Sequence, residues 1–184
     1  TGYEESVPIL EAMVYRFPEK KNYYRQLAAL YAELKREEDS FHIQQIMFSK
    51  DMLEKHDELL RIAQLYLFYE VPYKAALILE KELESGRIKD EEKNWEQLAN
   101  AWLSAREWKK AIPPLKKAAE MSEDGELFLR LGQTFMQEEN WKEAEEYIKY
   151  AIKKGDLDNP GRAWLLLGIT TVSYTHLTLP TTPY

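Results

Sequence analysis

The stretch LGQTFMQEENWKEAEEYIKYAI, residues 131–152, opens on a large–small pair, Leu131-Gly132, and ends on a small–large–small series, Ala144, Ile148 and Ala151. The same order of sizes recurs upstream, as LANAWLSAREWKKAI at 98–112 and IAQLYLFYEVPYKAAL at 62–77. Setting the pairs Leu27-Ala28, Ile62-Ala63, Leu98-Ala99, Leu131-Gly132 and Leu167-Gly168 in register gives spacings of 35, 36, 33 and 36 residues. Self-similarity at such a period is the signature of a stacked repeat architecture.

Three residues before each pair stands a bulky residue: Tyr24, Leu59, Trp95, Phe128 or Trp164. Tyr31, Tyr66, Trp102 and Phe135 follow three residues after the small members, and Val172 follows the last pair. Offsets of i, i+3, i+4 and i+7 form one stripe of an α-helix. A second helix follows each complete first one, with Ala75, Ala111 and Ala144 in one position and Leu79, Leu115 and Ile148 four residues later. Ala118 and Ala151 come three residues after that, where the remaining repeat has Glu82. Small residues let two antiparallel helices approach closely, and large ones fill the groove towards the next pair. A lone hairpin cannot bury both faces, so the hairpins must stack.

An aromatic, a leucine–glycine or leucine–alanine pair and a tyrosine, followed by the alanine series, resembles the tetratricopeptide repeat. The resemblance implies an all-α fold: an α-solenoid of antiparallel helix hairpins wound as a right-handed superhelix. It assigns residues 1–169 to the array, with repeats at 21–55, 56–91, 92–124 and 125–160. Residues 6–18 read as the second helix of a truncated repeat and 161–169 as the first helix of another. The first repeat is degenerate, with Ser40, Gln44 and Met47 at the second-helix positions. Pro113-Pro114 falls inside the second helix of the third repeat, where a kink or a late start is expected.

From Thr170 onward the composition changes. Residues 170–184 hold six of the eight threonines and no lysine or glutamate. This tail is expected to be unstructured. Its SYTHLTLPTT segment resembles a translated adapter or vector sequence, the other reading being a natural β-branched extension.

Composition narrows the function. The 184 residues are 45% hydrophobic and 31% charged, as befits a folded domain, and the net charge of −7 argues against general attraction to nucleic acid or anionic lipid. No cysteine is present, which excludes thiolate metal sites and cysteine nucleophiles. His42, His56 and His176 have no metal-ligand spacing, and no glycine-rich phosphate loop or serine elbow occurs. Glutamate pairs such as Glu138-Glu139 and Glu145-Glu146 read as exposed helix faces rather than acid–base machinery. Trp95, Trp102 and Trp164 fall on the packing stripe, while Trp108 and Trp141 begin second helices. The expectation is a non-enzymatic chain without cofactor or metal.

The resemblance also implies a concave groove lined by the first helices. Its positions fall on Leu60, Gln64, Leu67 and Phe68, on Asn100 and Leu103, and on Leu129, Gln133 and Met136. The recurring amide, Gln64, Asn100 or Gln133, suits a peptide backbone, and the apolar residues around it suit side chains. The basic–asparagine clamp of chaperone-docking relatives is not reproduced, because Glu96 precedes Asn100 and Ala29 follows Arg25 on that stripe. The expected partner is a protein or peptide, with no nucleic acid and no membrane insertion; self-association through exposed repeat ends is also open.

IAQLYLFYEVPYKAALILEK, AIPPLKKAAEMSEDGELFLRLGQ and GRAWLLLG are similar to exported proteobacterial tetratricopeptide proteins encoded beside TonB–ExbB–ExbD systems. That similarity implies a periplasmic accessory of an envelope complex. The alternatives are a cytoplasmic adaptor, or a regulatory arm of a larger enzyme.

Overall fold

Helix follows helix from the first described residues to the last. The structure, a computed structural model, describes residues 2–178. Ten helices and no strand occur among them: α1 (Gly2–Arg16), α2 (Lys21–Glu33), α3 (Glu37–Ser49), α4 (His56–Phe68), α5 (Pro72–Glu84), α6 (Glu92–Ser104), α7 (Trp108–Met121), α8 (Glu126–Gln137), α9 (Trp141–Lys154) and α10 (Pro160–Thr178). The all-α expectation and the helix register hold.

The chain divides into two compact units between Tyr69 and Glu70, inside the second expected repeat rather than at the end of one. In the first unit α2 packs on α1 and on α3, around a core of Val7, Leu27, Leu30 and Tyr31. In the second, α6 pairs with α7 and α8 with α9, and each hairpin packs on its neighbour through α7 and α8. Leu115, Leu131 and Ile148 are fully buried there, with Ala118 and Ala151 between them. At about 25 cal/mol per Å² of apolar surface, each such side chain contributes on the order of 2 kcal/mol.

The turns that follow α2, α4, α6 and α8 share one geometry that the letters do not announce. Lys35, Glu70, Arg106 and Glu139 all lie in the left-handed region, at φ of 59°, 56°, 59° and 56°. None is glycine. After α6 the Glu107 N–H donates to the Trp102 carbonyl and the Arg106 N–H to the Leu103 carbonyl, both at 3.0 Å. After α8 the Asn140 and Glu139 N–H groups close the same pair on Phe135 and Met136. This double closure satisfies the carbonyls that a helix end leaves open.

Of the two outcomes expected at the proline pair, the late start is ruled out: helix α7 begins at Trp108 and runs through Pro113 and Pro114. Two expectations need correcting. Trp164 is not core: it is 60% exposed, and α10 buries Ala163 and Thr170 instead. The tail is not unstructured over 170–178, which continue α10. The hydroxyls of Thr170, Thr171 and Thr175 donate back to carbonyls three or four residues earlier, which lets threonines sit inside a helix. Residues 179–184, and the His176 side chain, lie outside what is described.

Candidate functional site

In the first unit the predicted lining residues lie on α4. Gln64 and Phe68, one turn apart, are both exposed, Phe68 by 71%. Leu60 and Leu67 are half-buried. The opposite stripe of the same helix, Leu59, Ile62, Ala63 and Tyr66, is buried. Phe68 is held by a run of rings. It meets Tyr69 edge-on at 5.2 Å, Tyr69 stacks on Phe41 of α3 at 4.5 Å and 11°, and Phe41 meets Tyr66 edge-on at 5.1 Å. Aromatic pairs at such separations prefer these offset and T-shaped arrangements.

Phe68 and Tyr69 border a cleft of about 500 Å³ whose far wall is the charged run 35–39 at the start of α3. Burial, then Glu37 and Glu38, pushes the Tyr69 hydroxyl above its ordinary value. The supporting role of Phe41 was not legible in sequence, because the degenerate repeat obscures the register of α3.

In the second unit the lining splits. Asn100 is already engaged: Arg130 of α8 donates one nitrogen to its side-chain carbonyl and another to Glu96 at 2.5 Å. It therefore joins α6 to α8 rather than presenting an unoccupied acceptor. Leu103 and Gln133 are half-buried. Met136 is half-buried against the core cluster. Leu129 must be removed from the lining. It is 1% exposed, among Leu127, Phe128 and Leu131, so it packs in the core.

The tryptophans are mostly structural. Trp102 is fully buried. The Trp95 N–H donates to Asp90 at 2.5 Å while the Lys117 ammonium sits 3.9 Å above its ring. Trp95, then Lys117, holds the Asp90 carboxyl below its usual range. Among the described residues no group of three His, Cys, Asp or Glu side chains could hold a metal ion. None of their helices is long and apolar enough to cross a membrane.

Solved structures share this architecture. MamA matches with a TM-score of 0.61 at 16% identity, over 84% of this chain and 82% of that one. YrrB, described as a TPR protein with an unusual peptide-binding site, matches with a TM-score of 0.60 at 19% identity, over 92% and 84%. The chain has the tetratricopeptide fold. The C-terminal part of a TPR repeat-containing protein from Cytophaga hutchinsonii shares it as well, with a TM-score of 0.59 at 14% identity over 98% of this chain and 69% of that one. No family model and no curated protein matches the sequence. The outward stripe of α4 is the face on which the sequence placed the lining residues of its second expected repeat.

Proposed function

We propose that the chain is a non-enzymatic scaffold that holds a peptide or helix of another protein against its first-helix faces, as a periplasmic accessory of a TonB-type envelope complex. One observation carries the binding reading: a phenylalanine 71% exposed, ring-braced from behind, with an exposed amide one turn away. An apolar anchor beside a backbone-competent amide is how helical grooves hold peptides. The peptide-binding site named for YrrB supports the same reading by fold analogy. The envelope assignment rests on the resemblance of 62–81, 111–133 and 161–168 to exported proteins encoded with TonB–ExbB–ExbD systems.

A photocrosslinking amino acid in place of Gln64, in the protein expressed in its source cell, tests both parts. An adduct with a TonB, ExbB or ExbD polypeptide in the periplasmic fraction is the expected result. Adducts confined to cytoplasmic proteins would leave the scaffold and overturn the compartment. No adduct at Gln64 alongside adducts elsewhere would overturn the face.

A further inference from the structure

We propose that the cleft between α2, α3 and α4 in the first unit is a recognition site for a polypeptide segment that inserts one apolar side chain flanked by one acidic and one basic residue. This deepens the scaffold reading and rests on it.

The cleft arises from the degenerate repeat. In α7 and α9 the second-helix positions carry Ala111, Leu115 and Ala118, or Ala144, Ile148 and Ala151, and all six are fully buried. In α3 the same positions hold Ser40, Gln44 and Met47. Ser40 turns its hydroxyl to the Ala28 carbonyl at 2.8 Å, and the Gln44 amide reaches only to Ser40, at 3.4 Å. The facing helix α2 brings alanines, Ala29 and Ala32, which are exposed. Small and polar residues on both sides leave space, and α3 meets α4 over far less surface than α7 meets α8. The result is a cleft of about 390 Å³, within the range of ligand sites.

Its floor and rim specify different things. Ala28, Met47 and Leu53 are buried at the base, an apolar seat in which methionine adapts to shape. Four charges stand around it. Arg25 and Glu58 are paired with each other and so are committed. Arg61 and Glu33 also line the cleft, and among the described residues neither has an ion-pair partner. One free cation and one free anion balance to zero, so an isolated phosphate or carboxylate gains little. A segment carrying both signs in the matching order gains twice, and the reversed order is repelled twice. The rim therefore selects a segment that carries both signs about its apolar anchor.

The test uses a random 12-residue peptide library displayed on phage, selected against the whole chain, with enriched peptides then measured by fluorescence anisotropy. The expected peptides share an apolar residue between an acid and a base. Ala32→Trp fills the cleft and weakens them at least about tenfold without lowering the melting temperature. Exchanging the rim charges, Arg61→Glu with Glu33→Arg, weakens them about tenfold and favours peptides whose acid and base are exchanged. Peptides lost on Phe68→Glu but indifferent to Ala32→Trp would keep the scaffold reading and overturn the cleft. Peptides blocked by Ala32→Trp but indifferent to the rim exchange would overturn the bipolar assignment. A library that yields no binder would overturn both.

Discussion

Gly132 on α8 and Ile148 on α9 stand so close that a Cβ on Gly132 would lie 2.6 Å from the Ile148 Cγ1. The glycine is present for approach, since its backbone is ordinary helix. Gly132→Ala is therefore expected to cost about 1–3 kcal/mol through overpacking. Ile148→Ala in the same chain should recover part of that loss, because it removes the atom in conflict. A double-mutant cycle by urea unfolding measures it, and purely additive effects would show that the contact is not the cause.

The left-handed residue after α6 is an arginine, Arg106, and its side chain is exposed. A side chain in that region costs about 1–2 kcal/mol. Glycine removes that strain but brings about 0.5–1 kcal/mol of backbone entropy to be lost on folding. The strain is the larger, so Arg106→Gly should raise stability by roughly 0.5 kcal/mol, the difference of those ranges. A lowered urea midpoint would mean that the side chain makes a contact worth more than the strain.

Glu82 is fully buried where the third and fourth repeats carry Ala118 and Ala151, and Arg87 grips it from 2.5 and 2.8 Å. The two partners are not equally costly to remove. Arg87→Ala strands a buried carboxylate that retains Ser85 and a distant Lys81, and about 3 kcal/mol of stability should be lost. Glu82→Ala frees an arginine that is 29% exposed and can turn to water, so it should cost less. Equal losses in thermal unfolding would contradict this asymmetry.

Burial pushes the Glu58 carboxyl up, but the Arg25 bond, the N–H groups of Lys55 and Glu54 and the charge of Lys21 outweigh it and hold the group at about 2. A depressed carboxylate contributes stability above its unfolded value near 4.5 and loses it as the pH falls through about 2. The first unit should accordingly weaken between about pH 4.5 and 2. Solvent screening of the pair keeps the effect modest. Glu58→Gln should flatten the stability profile across that window, as followed by helix signal on acid titration. An unchanged profile would assign the acid sensitivity to other carboxylates.

Phe68 and Leu129 separate binding from packing. Phe68→Glu should abolish partner capture with little change in melting temperature, because the ring is 71% exposed. Leu129→Ala should cost about 2–5 kcal/mol, as a buried leucine does. Capture measured on folded protein distinguishes the two.

The register of the hairpins was legible because it is itself a packing code. Leu27, Leu98 and Leu131 are all exposed by 1% or less, and their small partners Ala28, Ala99 and Gly132 are buried as well. The lining was less legible. Leu60 and Leu129 occupy equivalent positions, yet one is half-buried and the other core, since that outcome depends on neighbours rather than on the stripe. The turn residues Lys35, Glu70, Arg106 and Glu139 gave no signal, because none is the glycine that usually marks the left-handed region. The threonines after 170 misled for a local reason. Their hydroxyls bond to their own helix, which composition cannot reveal.

The proline pair inside α7 has a further consequence for water. Pro113 and Pro114 carry no N–H, so the carbonyls of Lys109 and Lys110 have no donor four residues ahead. Hydration must supply what the helix withholds, leaving a wet seam one turn from its start. The Lys110 ammonium stands beside that seam, above the rings of Tyr73 and Trp102 at 4.8 and 4.7 Å. The opening turn of α7 keeps the Ala111 N–H on the Glu107 carbonyl at 3.0 Å, but two rungs towards the next turn are missing and side chains help fasten it to the body. Its amides should exchange with solvent well before those of the remainder.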